Sequence, residues 1–254
     1  MQDVLFSDWG RVDYKTAWDR QEGLLRENLE IKGIKRNLGV QYSEALNAGN
    51  EYAPPELSTP ELRTRHHLIF VEHQHVYTLG KSGKPEHVLI DEQERAGKQV
   101  AFFNTNRGGD ITYHGPGQLV AYPVLDLELF YTDLGRYLRS LEEVIIRTMA
   151  EYGLKGDRSP GETGVWLDPD IKGRERKICA MGIRCSRWIT MHGLAFNVNS
   201  DLKYFDYIIP CGIQDKQVTS LQKELGRSVD MDEVKEKVKR NFGTVFGVKL
   251  ISNP

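Results

Sequence analysis

The sequence predicts an α+β fold in which helices flank a mixed β-sheet. Short apolar runs rich in β-branched or aromatic residues, which are typical of strands, recur along the chain. Helical patterns are interspersed with these runs but do not alternate strictly with them, as a doubly wound fold would require. A chain of 254 residues is ample for a substantial core, and no internal repeat divides it. We therefore expect a single domain over residues 1–254.

The N-terminal quarter combines regular elements with an irregular stretch. Leu5 to Trp9 is predicted to be an edge strand, and Asp13 to about Leu29 a helix with one apolar face. Ile34 to Pro60 contains Gly, Asn, Ser and three prolines, which makes it a poor core former. We expect an exposed, partly mobile insertion at about 34–60.

Shorter elements follow up to the middle of the chain. The patterns predict strands at His66–His73, Val76–Gly80, Gln99–Phe103 and Leu119–Leu125, a turn at Gly83–Pro85 and a short helix at Asp91–Gly97.

The second half contains the clearest helix, Asp133 to Tyr152, which Gly153 ends. Asp230, with Glu233 three residues later, predicts the start of the last helix. The remaining predictions are a loop at Asp157–Asp170, long strands at Lys177–Arg187 and Trp188–Asn199, a helical turn at Leu202–Ile208 and a closing strand at Val248–Ile251.

A glycine-rich segment, Asn106 to Gln118, lies between two of these predicted strands. It is longer than a hairpin turn, and it carries Arg107, Thr112, Tyr113 and His114 among its glycines. Glycine lets the backbone approach a ligand closely. The segment is therefore predicted to be a binding loop.

The bulk properties limit the classes of function. A net charge of −2 gives no basic field for nucleic acid, and no apolar run approaches the roughly 18 residues of a membrane span. The N-terminus lacks the pattern of a secretory or mitochondrial leader, which favours the cytoplasm. Three cysteines, an odd and sparse set, predict a reduced compartment rather than a disulfide framework.

Cys211 is the best candidate nucleophile. It lies between Pro210, which restricts the backbone, and Gly212, which relaxes it. A thiol needs a base or a nearby cation at neutral pH, and Lys177, which begins a largely apolar strand, provides either. From the residues alone, an inert buried cysteine is the more common case. Cys179 and Cys185 alternate along the same strand and are better explained by packing.

Four ordered motifs carry a family resemblance. They are Arg107-Gly-Gly-x-x-Thr-Tyr-His-Gly-Pro-Gly-Gln118, Lys177-Ile-Cys-Ala-Met-Gly-Ile-Arg184, His192-Gly-Leu-Ala-Phe-Asn197 and Ile209-Pro-Cys-Gly212. Together they resemble the lipoyl(octanoyl) transferases. The resemblance implies the biotin/lipoate ligase-like fold, no cofactor, and transfer of octanoyl from octanoyl-acyl carrier protein to a lysine of a lipoyl domain. The implied acceptors are the lipoyl domains of 2-oxoacid dehydrogenase complexes and the glycine cleavage H protein.

The resemblance also implies the site residues. Cys211 would form the octanoyl thioester, and Lys177 would take its proton. Backbone amides of the central loop, Met181-Gly182 or Gly193-Leu194 are candidates for the oxyanion donors by analogy. Tyr113, Leu194 and Phe196 are candidates to line an acyl slot. The residues expected to bind substrate are Arg107, Gly108, Gly109, Asp110, Ile111, Thr112, Tyr113, His114, Ala180, Met181, Gly182, Gly193, Leu194 and Ala195.

Other readings of these residues are possible. An ATP-dependent lipoate or biotin-type ligase would need no catalytic cysteine, and an octanoyl amidotransferase between lipoyl domains would differ only in its donor. A binding domain without catalysis would form no thioester. His114 is expected to shape the loop rather than act as the base. The histidines from His66 to His75 are better explained as polar strand residues than as a metal site.

A run of basic residues between Lys172 and Arg187 contains one acid, Glu175. Such a run is usually a solvated face. Carrier proteins are acidic as a class, so the alternative is a docking surface for the acyl donor.

Overall fold

Two β-sheets and five α-helices make up the part of the chain described by this computed structural model, which covers residues 1–47, 59–209 and 217–252. The strands are β1 (Asp3–Arg11), β2 (His66–Glu72), β3 (Val76–Leu79), β4 (Ala101–Asn104), β5 (Ile111–His114), β6 (Gln118–Val124), β7 (Val165–Leu167), β8 (Arg176–Ser186), β9 (Ile189–Asn197), β10 (Gln217–Val218) and β11 (Lys249–Ser252). The helices are α1 (Tyr14–Asn47), α2 (Glu92–Gly97), α3 (Leu134–Ala150), α4 (Leu221–Leu225) and α5 (Met231–Phe246).

The large sheet is mixed, as the sequence predicted. Its strand order is β10-β8-β9-β6-β2-β1-β11, and β7 pairs with β8 beside this path. The pairs β8–β9, β9–β6 and β6–β2 are antiparallel, whereas β2–β1, β1–β11 and β10–β8 are parallel. A smaller sheet of order β4-β3-β5 is also mixed.

Both faces of the large sheet are covered by helices. Successive side chains along a strand point to opposite faces, so its central strands contribute apolar side chains to both. On β2, Leu68 and Phe70 contribute to the core beneath α3 and α5. Ile69 and Val71, between and after them, pack on the opposite face with Ala17 and Leu25 of α1. A strand that is buried on both faces reads as a continuous apolar run, which is why β2 was recognisable.

Aspartate side chains cap the starts of three helices, and one of them, Asp230, was predicted from the sequence. The side chain of Asp133 accepts a hydrogen bond from the backbone N–H of Arg136 at the start of α3. Asp91 and Glu94 form a reciprocal capping box on α2. Asp230 caps α5 by accepting from the N–H of Asp232. A side-chain oxygen at this position satisfies a donor that the first helical turn leaves without a partner.

The predicted edge strand at Leu5 to Trp9 is internal, so this prediction was wrong. β1 pairs with β2 on one side and with β11 on the other. The C-terminal strand β11 takes the edge position instead. Parallel pairing of two distant segments leaves no local pattern that would reveal it from either segment alone.

The irregular structure expected from Ile34 onward was wrong as far as Asn47, because α1 continues to that residue. Gly33 and Gly39 each cost a helix about 1 kcal/mol, yet the stretch contains no proline before Pro54 and is otherwise tolerant of helix. Positions 48–58 lie outside the described residues. The rest of the insertion and the single domain over 1–254 stay predictions.

Two predicted loops contain short strands. Ile111 to His114 pairs with β3, so four residues of the glycine-rich segment belong to the small sheet. Val165 to Leu167 pairs with β8, within the stretch predicted to be a loop. Neither strand exceeds four residues, which is too short for a periodicity to be recognised.

Candidate active site

A cavity lies beside the N-terminal end of α1, where the glycine-rich segment meets strands β6, β8 and β9. The space not filled by atoms amounts to about 590 Å³, part of which is open solvent. Its lining residues are Tyr14, Arg107, Gly109, Asp110, Ile111, Thr112, His114, Val120, Tyr122, Thr163, Lys177, Ala180, Met181, Gly182, His192, Gly193, Leu194 and Ala195.

Small residues on paired strands create the space. Ala180 on β8 is opposite Ala195 on β9, and Gly182 is opposite Gly193. Ala195 is in turn opposite Val120 on β6. Val120 and Ala195 belong to the face that packs against α1. Because methyl groups or hydrogen atoms stand where larger side chains would fill the gap, the sheet and the overlying segments cannot close on each other here.

The glycine-rich segment is fastened to the sheet by Arg107. Its guanidinium donates to the hydroxyl of Thr78 at 2.9 Å, and also to the carbonyl oxygens of Thr78 and Gly108. The N–H of Gly108 donates to the carbonyl of Ile183 at 2.8 Å. A Cβ at Gly182 would lie 2.9 Å from the Gly108 oxygen, so only glycine allows this approach. The arginine therefore holds the segment in place from within.

His114 lies in a hydrogen-bonded chain that fixes its tautomer. The side-chain N–H groups of Gln118 donate to the carbonyl oxygens of Tyr113 and Asn197, so its oxygen accepts from His114 Nδ1 at 2.8 Å. His114 Nε2 then accepts from Thr78 at 3.4 Å. Burial, reinforced by nearby His73, lowers the pKa of His114 well below its usual value. A neutral, internally bonded histidine agrees with the predicted role of shaping the loop.

Aromatic residues close the cavity at its buried end. Tyr14 stacks on His114 with ring centroids 5.9 Å apart. His73 Nδ1 donates to the carbonyl of Val12 at 2.8 Å, so Nε2 accepts the hydroxyl proton of Tyr122 at 2.7 Å. Burial raises the pKa of Tyr14 to about 12 and lowers that of His73 to about 4. The imidazole of His73 and the hydroxyl of Tyr122 are therefore paired with each other, and neither is charged at neutral pH.

His192 forms part of the wall next to α1. It adopts a positive φ of 59°, which is uncommon for a side chain that is not glycine. Its Nε2 donates to Asn106 at 2.7 Å, and its backbone N–H donates to Gln21 of α1 at 2.9 Å. Burial lowers its pKa to about 3, helped by the positive charges of Arg107 and Arg184. These bonds connect the glycine-rich segment, β9 and α1.

Lys177 stands at the mouth of the cavity. Its Nζ atom lies 4.5 Å from the ring centroid of Trp166 and 3.8 Å from a carboxylate oxygen of Glu162. The side chain of Lys177 is only 12% exposed. Val218 pairs with Lys177, and the N–H of Thr219 donates to the backbone carbonyl of Lys177 at 2.9 Å. The lysine is thus contacted by two separate segments of the chain, 162–166 and 218–219.

The structure brings most of the predicted substrate-binding residues together at this cavity. All of them line it except Gly108 and Tyr113. Tyr113 packs instead in an aromatic group with Tyr204, whose ring lies parallel at 5.1 Å, and its hydroxyl contacts His75 at 2.8 Å. Phe196 is in the core beneath α3 and α5. Of the three predicted acyl-slot residues, only Leu194 lines the cavity, and its contact with substrate stays a prediction.

Several lining residues were missed by sequence reasoning. Tyr14 is the first residue of a helix, Val120 and Tyr122 are part of an apolar strand, and Thr163 lies in a loop. None of these contexts signals a site. His192 was noted within a motif but given no role, although its positive φ shows that its position is constrained.

Cys211 lies outside the described residues. The described residues nearest to it in sequence are anchored: the N–H of Ile209 donates to the carbonyl of His87 at 2.8 Å, and that of Gln217 donates to Glu175 at 3.0 Å. Cys179 is fully buried and Cys185 partly buried, and burial raises the pKa of both thiols. Protonated thiols in these places agree with the predicted packing role.

The other candidate groups have internal explanations. Within the described ranges, no group of three or more His, Cys, Asp or Glu side chains is arranged to hold a metal. In the basic run, Arg176 pairs with Glu224 at 2.7 Å and with Asp168 at 2.6 Å. Arg184 pairs with Glu22 at 2.6 Å. Much of the positive charge in the run is therefore neutralised locally.

None of the helices in the described part of the chain combines the length and apolar character that crossing a bilayer requires.

Comparison with solved structures shows the fold. An archaeal lipoylation system from Thermoplasma acidophilum, described as a bi-partite lipoate protein ligase and its E2 lipoyl domain, matches with a TM-score of 0.65 at 16% identity. The match covers 100% of this chain and 87% of that one. A lipoate-protein ligase A bound with ATP matches with a TM-score of 0.63 at 15% identity, over 100% of this chain and 89% of that chain. The predicted lipoate ligase-like α+β fold is confirmed.

Sequence comparison shows the family. Residues 56–243 match the model of the lipoyl protein ligase A/B catalytic domain. An octanoyltransferase of Christiangramia forsetii is 51% identical over 250 residues, and one of Flavobacterium johnsoniae is 51% identical over 249 residues; each match covers 98% of both chains. The chain therefore belongs to the lipoyl protein ligase A/B catalytic-domain family, and within it to the octanoyltransferases, which are acyltransferases.

Proposed function

We propose that this enzyme transfers an octanoyl group from acyl carrier protein to a lysine of a lipoyl domain through a thioester on Cys211. The observation that carries the proposal is the cavity: a largely apolar, small-residue wall leads from a buried end to Lys177 at the mouth. Such a shape suits a medium-length acyl chain with its carbonyl near the lysine. The names of the close relatives support octanoyl as the group transferred.

The first half-reaction loads the enzyme. Lys177 accepts the proton of the Cys211 thiol, and the thiolate attacks the carbonyl carbon of the donor thioester. The tetrahedral intermediate collapses with breakage of the bond to the carrier's sulfur, which takes the proton back from Lys177. One thioester replaces another, so this exchange is near isoenergetic.

The second half-reaction forms the product. The ε-amine of the acceptor lysine attacks the octanoyl-Cys211 carbonyl, loses a proton to Lys177 and becomes an amide. Cys211 leaves as a thiolate and recovers that proton. Conversion of a thioester to an amide runs downhill, so the sequence of steps requires no ATP.

Each tetrahedral intermediate carries an oxyanion that needs N–H donors. Gly109 and Asp110 both line the cavity, and neither backbone N–H donates to an acceptor within the described residues. The amides of Met181-Gly182 and Gly193-Leu194 lie in the β8–β9 pairing, where strand partners compete for them. We therefore favour the loop amides of Gly109 and Asp110 among the predicted donors.

The donor and acceptor are part of the proposal. The acceptors we expect are lipoyl domains of 2-oxoacid dehydrogenase complexes and the glycine cleavage H protein, and we place the reaction in the cytoplasm. The main alternative is an ATP-dependent ligase, since solved structures of this fold include a lipoate-protein ligase bound with ATP. An amidotransferase would differ by taking octanoyl from a lipoyl domain.

The test is an intact-mass measurement after incubation with octanoyl-acyl carrier protein in the absence of ATP. We expect an octanoyl adduct that is lost in Cys211→Ala and retained in Cys185→Ala and Cys179→Ala. An adduct that survives Cys211→Ala would contradict the assigned nucleophile. No adduct, together with ATP-dependent attachment of free octanoate to a lipoyl domain, would identify a ligase instead.

A further inference from the structure

Glu162 faces the ammonium group of Lys177 at the mouth of the cavity. Its Oε2 atom lies 3.8 Å from Lys177 Nζ, and its side chain is only 19% exposed. The ring of Trp166 lies 4.5 Å from the same nitrogen. Thr163, the next residue after Glu162, lines the cavity itself. The amine of Lys177 therefore lies next to the carboxylate of Glu162 and the indole of Trp166, at the edge of the cavity.

The segment that carries Glu162 is anchored independently of Lys177. Glu142 of α3 is fully buried, and it accepts a hydrogen bond from the N–H of Gly164 at 3.0 Å. The guanidinium of Arg158 donates to Glu142 at 3.0 Å and to Glu143 at 2.8 Å. Both ends of the segment are therefore fixed to α3.

A second bond shapes the segment between these anchors. The N–H of Glu162 donates to the carbonyl of Ser159 at 3.1 Å, which closes a turn. Because the backbone is held on both sides, the carboxylate has a defined place from which to face Lys177. An ordinary surface ion pair lacks such a support and contributes little, since two long side chains must be ordered to form it.

We propose that Glu162 is the positioning residue for Lys177. Its carboxylate holds the amine at the cavity mouth and stabilises the ammonium form whenever Lys177 has accepted a proton. Glu162 does not take the proton, which passes from Cys211 to Lys177 and on to the leaving sulfur. The arrangement parallels the carboxylate that orients the base in a serine-protease triad. This inference rests on the proposed function, in which Lys177 is the base.

The role has a consequence for pH dependence. A fixed negative charge next to the lysine opposes loss of a proton from the reacting groups. Removing that charge while keeping the shape should move the pH profile of acyl loading to lower pH. It should also slow loading, because the amine loses a partner that fixes its position. A purely structural role for Glu162 would change the rate or the stability without moving the profile.

The experiment measures the rate of octanoyl-adduct formation from octanoyl-acyl carrier protein between pH 5.5 and 9 in the full-length protein. In Glu162→Gln we expect the maximum loading rate to fall about tenfold and the pH profile to move to lower pH. Glu162→Asp, which keeps the charge, should retain the wild-type profile. Asp170→Asn, which removes an exposed carboxylate eight residues away, should match the wild type.

The outcomes distinguish the positioning role of Glu162 from the proposed function of the enzyme. If the wild type loads and Glu162→Gln has the same rate and profile, the positioning role is wrong and the proposed function stands. If Glu162→Gln and Glu162→Asp are equally slow with unchanged profiles, the role is only structural. If the wild type forms no adduct, the proposed function itself fails and this inference fails with it.

Discussion

The two ends of the cavity use polar residues in opposite ways. At the buried end, His73 is hydrogen-bonded to Tyr122, and His114 is hydrogen-bonded to Gln118. Burial keeps His73, His114 and Tyr122 uncharged. At the mouth, the amine of Lys177 and the carboxylate of Glu162 face each other. Polar groups that are satisfied inside the fold define the shape of the cavity, whereas the amine and the carboxylate at its edge are the groups to which we assign proton transfer and its support.

The difference follows from the cost of burying charge. An unpaired charge at the depth of His114 would be far more expensive than a neutral ring with two hydrogen bonds. At the mouth, solvent and a carboxylate compensate the lysine. We therefore expect changes at the mouth to affect chemistry, and changes at the buried end to affect stability or chain fit.

The largest effect should come from removing the cation at the mouth. Lys177→Met keeps the length and apolar contacts of the side chain but cannot accept a proton. Acyl loading should fall by about 10²- to 10⁴-fold, the range for a lost general base. The rate of adduct formation by intact mass measures it, and the melting temperature should change little.

Lys249→Met is the matched control, because Lys249 is an exposed lysine on β11, at the opposite edge of the large sheet from β10 and β8. It should load at the wild-type rate. Loading by Lys177→Met within a factor of a few of wild type would assign the base to another residue and reduce the mouth to a structural pair.

The buried end predicts a stability that depends on pH. Burial lowers the pKa of His73 to about 4 and that of His192 to about 3, so both stay neutral in the folded protein at pH 5. In the unfolded chain both are protonated below about pH 6.5. The unfolded state then binds more protons, so the free energy of unfolding falls as pH drops below 6.5. Each histidine should lower the free energy of unfolding by about 2 kcal/mol between pH 7 and pH 5.

Urea unfolding at pH 7 and pH 5 measures this loss. In His73→Gln the decrease between the two pH values should be smaller by about 2 kcal/mol, because that group no longer titrates. An equal decrease in wild type and variant would show that His73 is protonated in the folded protein, and the contrast between the two ends would weaken.

The sequence predicted the regular elements with strong periodicity and missed those without it. The long helix α3 was recognisable from the pattern between Asp133 and Tyr152, whereas Gly33 and Gly39 hid the continuation of α1. The site was predicted where motifs are contiguous, as at Ala180–Gly182 and Gly193–Ala195. It was missed where a residue arrives from a distant segment: tertiary packing alone brings Tyr14 to the cavity and Glu162 to Lys177.

The wall between the two ends offers a test of chain fit. Ala180→Leu places a branched side chain in the row formed with Ala195 and Val120. We expect octanoyl loading to fall about tenfold, because overpacking of this size costs about 1 to 3 kcal/mol. Loading of a butanoyl donor should fall less, since a short chain need not pass the new side chain.

The ratio of octanoyl to butanoyl loading is the measurement, and it is insensitive to a general loss of active protein. An unchanged ratio of octanoyl to butanoyl loading would mean that the acyl chain does not run along this wall. In that case the space left by the small residues would serve another part of the substrate.

The smallest effect should concern docking of the acidic donor outside the mouth. Arg176 is committed to Glu224 and Asp168, so reversing its charge would disrupt the fold rather than test docking. Lys172 is exposed, and Arg174 is 67% exposed with only a 3.6 Å pair to Asp168. Lys172→Glu with Arg174→Glu should slow loading a few-fold at low salt and less at high salt, because exposed charges are screened.

Arg26→Glu is the control for net charge, because Arg26 is exposed on α1. A rate that is unchanged at low salt would exclude this stretch as the docking surface, and would leave the mouth pair as the charged part of the site that the donor meets.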